Sequence, residues 1–243
     1  MERRLYRHSR WDIFIHWFNA ACWLLLLVTG LGLISNPDID PLGGWYPAAL
    51  RSVLGGGANL LIFHIALGVV WMAGFALYIA FNIKGVLFFL RELFSVDLPR
   101  DMLWMIKKPI QMTLGDAGLR KLGLGTDIPD QGFYNMGQKS FGQASVLGSL
   151  VLAVTGVVMV MSRTSLSEAQ TGLVSWSILL HYLSAGLVFA GLIIHVYMAA
   201  VSREERPGFR SMFTGWVDEN YAKHHHRLWW EKESAVAGVR EEE

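Results

Sequence analysis

Thiol chemistry is almost missing from this chain: Cys22 is the only cysteine among its 243 residues. One cysteine excludes an internal disulfide, an iron–sulfur cluster held by four thiolates, a four-cysteine zinc site and a C-x-x-C-H covalent haem attachment. Charge is scarce too, at 17% of residues against 53% hydrophobic ones, and mean hydropathy is positive. That balance points to a membrane protein. The formal net charge of +1 offers no electrostatic basis for a nucleic-acid partner. Repeats and low-complexity segments are also missing. Any redox chemistry here must therefore use non-covalent cofactors held by histidine, and any iron–sulfur centre belongs to a partner.

What the chain does have is long apolar runs. Four are long enough to span a bilayer, at about Trp11–Ile34, Asn59–Phe81, Phe141–Ser162 and Val174–Val201. The basic N-terminus (Arg3, Arg4, Arg7, Arg10) followed by an apolar stretch superficially resembles a signal peptide. The stretch is too long for that and no small-residue cleavage site follows, so it is expected to be a retained first helix. Val86–Phe94 is apolar but interrupted by Arg91 and Glu92. It reads as a continuation of the second span beyond the bilayer or as an interfacial turn. A loop is expected over 82–140, with Met102–Leu114 lying on the membrane surface, and a polar, aromatic tail over 202–243. Nineteen of the 21 Lys and Arg residues fall in the N-terminus, this loop and the tail; Arg51 and Arg163 alone occupy the other two loops. By the positive-inside rule both termini and the long loop are cytoplasmic. Trp11, Trp17, Trp45 and Trp176 near the span ends fit an aromatic belt.

Given that topology, each membrane histidine acquires a depth. His16 is early in the first span and His195 late in the fourth, both near the cytoplasmic side; His64 and His181 lie near the external side. His181 and His195 are fourteen residues apart, just short of four turns, so they share one helix face about 21 Å apart along the axis. Four histidines thus sort into two depth-matched pairs. Ionisable groups within a span default to a functional reading, and imidazoles from facing helices can fill both axial positions of a haem iron. Such a centre transfers electrons and has no open site for a substrate. Gly68, Gly186 and Gly191, about one turn from these histidines, would let a flat macrocycle approach the backbone, whereas Gly30 and Gly32 read as ordinary helix packing. The competing reading is a set of proton relays or interhelical hydrogen bonds. His8 and His224–His226 read as a solvated basic face rather than metal ligands. Arg51 and Arg163 can pair with haem propionates or be plain loop charges.

The residues resemble a known family. Ile15-His16-Trp17, His64-x-x-x-Gly68, Tyr134-Asn135-Met136-Gly137-Gln138-Lys139, Leu180-His181, Ile194-His195-Val196-Tyr197-Met198-Ala199 and Ala222-Lys223-His224-His225 occur in the order seen in the gamma subunit of respiratory formate dehydrogenase, a four-helix cytochrome b. The resemblance covers most of the chain. It implies an outer haem on His64 and His181, an inner haem on His16 and His195, and a menaquinone site near the inner haem using Asn135 and Gly137. Gln138 and Lys139 complete that candidate site: an amide beside a glycine can donate to a quinone carbonyl, and Lys139 can hold a propionate or attract anionic lipid. The plainer alternative is a polar segment capping the third span.

The expectation is an all-α membrane protein, a single domain over 1–243. A four-helix bundle would carry two haem b groups in a bacterial cytoplasmic (inner) membrane. It would anchor an external iron–sulfur subunit and pass electrons to menaquinone or another quinone. Oxidation of formate by a molybdenum- or tungsten-pterin subunit would take place on another chain, in a complex that can form higher oligomers. No catalytic residue is assigned here. The competitors are the cytochrome b of a membrane hydrogenase or sulfur-compound reductase and, from another class, a haem-free proton or ion transporter.

Overall fold

The computed structural model describes residues 3–165 and 171–242, folded as two compact units. The first comprises Arg10–Ile83 and Leu147–Phe189; the second comprises Met1–Ser9, Lys84–Val146 and Ala190–Glu243.

Four helices have the length and composition to cross a membrane: Arg10–Leu33, Gly57–Phe81, Met136–Ser162 and Thr171–Val201. Exposed side chains such as Leu24, Ile62, Val154 and Leu187 stud their surfaces, an arrangement suited to lipid rather than water. In the first unit, α1 (Arg10–Leu33) is tied to α3 (Gly57–Phe81) by two polar contacts. Trp71 Nε1 donates to Asn19 Oδ1 at 2.9 Å, and Tyr78 Oη donates to Asp12 Oδ1 at 2.9 Å. A short external helix that the apolar pattern did not predict, α2 (Trp45–Val53), closes the end of α1. Its Arg51 donates to the carbonyls of Gly32 and Ile34 and to Ser35 Oγ, meeting acceptors a helix C-terminus leaves unpaired. Gly55 and Gly56, at φ 74° and 122°, then turn the chain into α3.

The expected loop over 82–140 is mostly helical, which corrects the sequence reading. Asn82 breaks the chain after α3, so α4 (Ile83–Phe94) is a separate helix and not a continuation of the second span. Next comes α5 (Leu98–Lys121), which begins where Asp97 accepts from the Arg100 N–H and Asp101 accepts from the Asp97 N–H, with Pro99 in its first turn. Gly115, at φ 64°, kinks it. The third span opens earlier than its apolar run: α6 (Met136–Ser165) starts with a capping box in which Gln138 N–H donates to Asn135 Oδ1 at 2.9 Å and Asn135 N–H donates to Gln138 Oε1 at 3.1 Å. The fourth span, α7 (Thr171–Val196), ends in a π-helical turn, Tyr197–Val201.

In the second unit the tail is folded, not merely polar. Helices α8 (Arg206–Thr214), α9 (Glu219–His225) and α10 (Arg227–Glu242) accompany a two-stranded ribbon. Strand β1 (Arg4–Tyr6) pairs antiparallel with β2 (Trp216–Asp218), Leu5 facing Val217, so the expected all-α class gains one small ribbon. Gly215, in the left-handed region at φ 81°, ends α8 and accepts from the Arg7 and His8 N–H groups. Leu5, Val217, Phe133, Tyr221, Ala222 and Trp229 form a shared apolar core. That core draws in groups expected to be solvated. His226 is fully buried, its Nδ1 2.8 Å from the Gly132 carbonyl, and His8 is also buried. Burial above all, then the neighbouring Arg7 charge, pushes the His226 imidazole well below its ordinary range, so it stays neutral. Arg7 lies over the Phe133 and Trp229 rings and donates to the Phe133 carbonyl.

Candidate cofactor site

In the first unit, His64 of α3 and His181 of α7 face each other with ring centroids 6.4 Å apart and planes inclined at 67°. With metal–nitrogen bonds of about 2 Å and an imidazole radius of about 1.1 Å, two axial imidazoles on one iron place their centroids roughly 6 Å apart. The observed pair matches that spacing. Two imidazoles are too few to hold a bare ion, and no group of three or more His, Cys, Asp or Glu residues suited to a metal occurs among the described residues. Two are enough for a macrocycle that brings four nitrogens of its own, so the residues fit a haem.

Each of these histidines leans on a threonine of another span. Thr29 Oγ1 of α1 is 2.8 Å from His64 Nδ1, and Thr155 Oγ1 of α6 is 2.9 Å from His181 Nδ1. The glycine after each threonine gives the ring room. A Cβ on Gly30 would lie 3.4 Å from His64 Cε1, and one on Gly156 would lie 3.7 Å from His181 Cε1. Gly30 is therefore not ordinary helix packing, whereas Gly32 is: a Cβ there would meet Leu50 Cδ2 at 2.5 Å. Of the glycines singled out from sequence, Gly68 and Gly186 would carry a Cβ with no protein atom within 4 Å. Gly191 instead makes room for Phe141, whose ring stacks on His195 at 4.6 Å and 13°. His16 belongs to the first unit and meets the Trp17 ring edge-on at 5.2 Å; His195 belongs to the second unit. Arg51 is committed to the end of α1 rather than to a propionate, and the Arg163 side chain lies outside the described residues.

The candidate quinone residues surround the start of α6 in the second unit. Asn135 and Gln138 cap it, as the plainer reading anticipates, yet the Asn135 amide nitrogen makes no hydrogen bond among the described residues. A Cβ on Gly137 would touch the six-membered ring of Trp104 from α5 at 3.4 Å. Lys139, expected to meet a propionate or lipid, is instead buried against Asp101 Oδ2 at 3.2 Å and the Ser95 carbonyl at 2.6 Å. Asp101 is fully buried and also faces Arg100 Nε and Gln131 Nε2. Burial raises its carboxyl, but the Asp97 N–H, Lys139 and Arg100 together outweigh that and hold it below the ordinary carboxylate range. Sequence reasoning missed Thr29, Thr155, Asp101 and Trp104. One signal was available for the threonines: Val-Thr-Gly occurs in the first span at 28–30 and again in the third at 154–156.

Apolar spanning helices that bring two imidazoles to axial spacing describe a membrane cytochrome. Residues 7–215 match the family described as prokaryotic cytochrome b561, and the chain belongs to that family. Membership implies a b-type haem. The chain is similar to the formate dehydrogenase cytochrome b556(fdo) subunit of Escherichia coli K12, at 26% identity over 95% of this chain and 94% of the relative. It is also similar to the formate dehydrogenase cytochrome b556 subunit of Haemophilus influenzae, at 26% identity over 96% of this chain and 84% of the relative. The nitrate-inducible E. coli K12 cytochrome b556(Fdn) subunit is 25% identical over 94% and 91%.

Proposed function

We propose that this chain is the dihaem cytochrome b subunit of a formate dehydrogenase complex, carrying electrons from an external iron–sulfur subunit to a quinone near the cytoplasmic side. The observation that carries the reading is the His64–His181 pair at axial spacing, together with the names of the relatives. When bound, haem supplies one-electron chemistry. His64 and His181 would hold the outer group, and His16 and His195 the inner one. The competing proton-relay reading offers no reason for two imidazoles at that spacing, each backed by a threonine.

The proposed topology draws support from which segments fold together. The N-terminus, the 84–146 stretch and the tail carry the basic residues that the positive-inside rule assigns to the cytoplasm, and all three belong to the second unit. The β1–β2 ribbon pairs the N-terminus with the tail directly. The quinone site, for menaquinone or another quinone, would use Asn135, Gly137 and Gln138. Asn135 Oδ1 can serve the cap while its amide nitrogen donates to a quinone carbonyl, and Lys139 holds α5 against the start of α6. Driving an electron inward across the membrane works against the potential at about 2.3 kcal/mol per 100 mV, so a two-electron turnover conserves roughly 5 kcal/mol per 100 mV. The catalytic chemistry would sit on a molybdenum- or tungsten-pterin subunit, with this chain as its inner-membrane anchor.

The test is haem counting on the purified complex. Pyridine haemochrome analysis should give two haems b per chain, with an iron–sulfur subunit and a pterin subunit copurifying. His64→Ala should lose one haem and quinone reduction, while dye-linked formate oxidation persists. A haem-free protein, or a copurifying hydrogenase in place of the pterin subunit, overturns the reading.

A further inference from the structure

Inference about His64 and His181 goes one step deeper, and rests on the haem reading of that pair. The Thr29 hydroxyl sits 2.8 Å from the Leu25 carbonyl, and the Thr155 hydroxyl 2.6 Å from the Val151 carbonyl, each four residues earlier on its own helix. A threonine in an apolar helix ordinarily satisfies its hydroxyl in this way. The hydroxyl has one hydrogen. Once that hydrogen is given to the backbone carbonyl, the contact from Oγ1 to the imidazole can only be one in which oxygen accepts and Nδ1–H donates. Both threonines are buried, at 3% and 5% exposure, so water does not compete for the bond.

We propose that Thr29 and Thr155 are matched positioning residues that fix the outer histidines as the Nδ1–H tautomer, leave Nε2 to ligate iron, and set the potential of the outer haem. The arrangement repeats across the molecule: a Val-Thr-Gly in the first span serves the histidine of the second, and a Val-Thr-Gly in the third serves the histidine of the fourth. In each copy threonine supplies the acceptor and the following glycine the room for the ring. A ligating histidine that donates its other N–H becomes a stronger electron donor to the metal. A hydroxyl already donating to a carbonyl is polarised into a better acceptor, through the cooperativity of hydrogen-bond chains. Stronger donation favours the ferric state, so the two threonines hold the outer potential lower than it would be without them. His195, stacked on Phe141, has a different environment, which gives the inner haem its own tuning.

The experiment uses Thr29→Val, which keeps the shape and removes the acceptor, and Thr29→Ser, which keeps the acceptor; the same pair is made at Thr155. In the purified complex the readouts are haem content, a potentiometric titration of the two haem components, and the low-spin ferric EPR signals. In the valine variants one component should shift to higher potential with altered g-values, while the other is unchanged; the serine variants should restore the wild-type values. A tenfold change in the oxidation equilibrium would read as about 59 mV. If a valine variant loses one haem while its serine counterpart keeps it at wild-type potential, the hydroxyl is still shown to be needed. The proposal is overturned if valine variants keep both haems at wild-type potentials, or if serine fails to rescue. A wild-type protein without haem would instead overturn the haem reading itself.

Discussion

Asp101 and Lys139 should be unequal partners when one of them is removed. Asp101 has no exposed surface and Lys139 is 4% exposed, so neither ion can fall back on water. With Asp101→Asn, the Lys139 ammonium keeps only the Ser95 carbonyl and loses its counter-charge. Removing one member of a buried pair typically costs about 3–5 kcal/mol. With Lys139→Met, Asp101 still has Arg100 Nε, Gln131 Nε2 and the Asp97 N–H, so the loss should be nearer about 1–2 kcal/mol. At about 2–4 °C per kcal/mol for a chain of this size, the first variant should melt on the order of 10 °C lower and the second only a few degrees lower. Thermal unfolding of the detergent-solubilised complex measures both. Acid should separate them further. A carboxyl held below its ordinary value of 3.8 contributes stability that is fully present above that pH. The contribution is lost as pH falls through the depressed folded value. Wild type should therefore weaken below about pH 4, and Asp101→Asn should show less of that acid loss. A Lys139→Met variant as damaged as Asp101→Asn, or two variants both within about 0.5 kcal/mol of wild type, would refute the reasoning.

Asn135→Ala removes the α6 cap, which is worth about 1 kcal/mol, and with it the amide nitrogen offered to the quinone. Quinone turnover and inhibitor binding should fall while both haems remain reducible by the partner; normal quinone kinetics would move the site elsewhere. Gly68→Ala and Gly74→Ala should fail in different ways. A Cβ at Gly74 would lie 2.4 Å from Phe18 Cε1 and Cζ, so that variant should lose about 1–3 kcal/mol of stability by overpacking. One at Gly68 meets no protein atom within 4 Å, so that variant should fold normally and lose haem instead. Melting curves and haem content distinguish the two.

The spans were legible because transfer into lipid is a sum over roughly twenty neighbouring residues, and such a sum can be read along the chain. The same holds for the basic segments that orient it, and for the four histidines, whose place within an apolar run follows from sequence position alone. Tertiary structure decided which surfaces meet. Thr29 and His64 are 35 residues apart, and their bond depends on how α1 and α3 are rotated about their own axes. A helix that is apolar on every side, as these are, has no polar face to say which way it turns, so Gly30 could not be told from Gly32 by spacing. Only packing separates the glycine that faces an imidazole from the one that faces Leu50. The burial of His226 and the capture of Lys139 by Asp101 have the same origin. Both depend on segments far apart in the chain, and a polar residue in a polar segment shows no sign of being buried until its partners arrive.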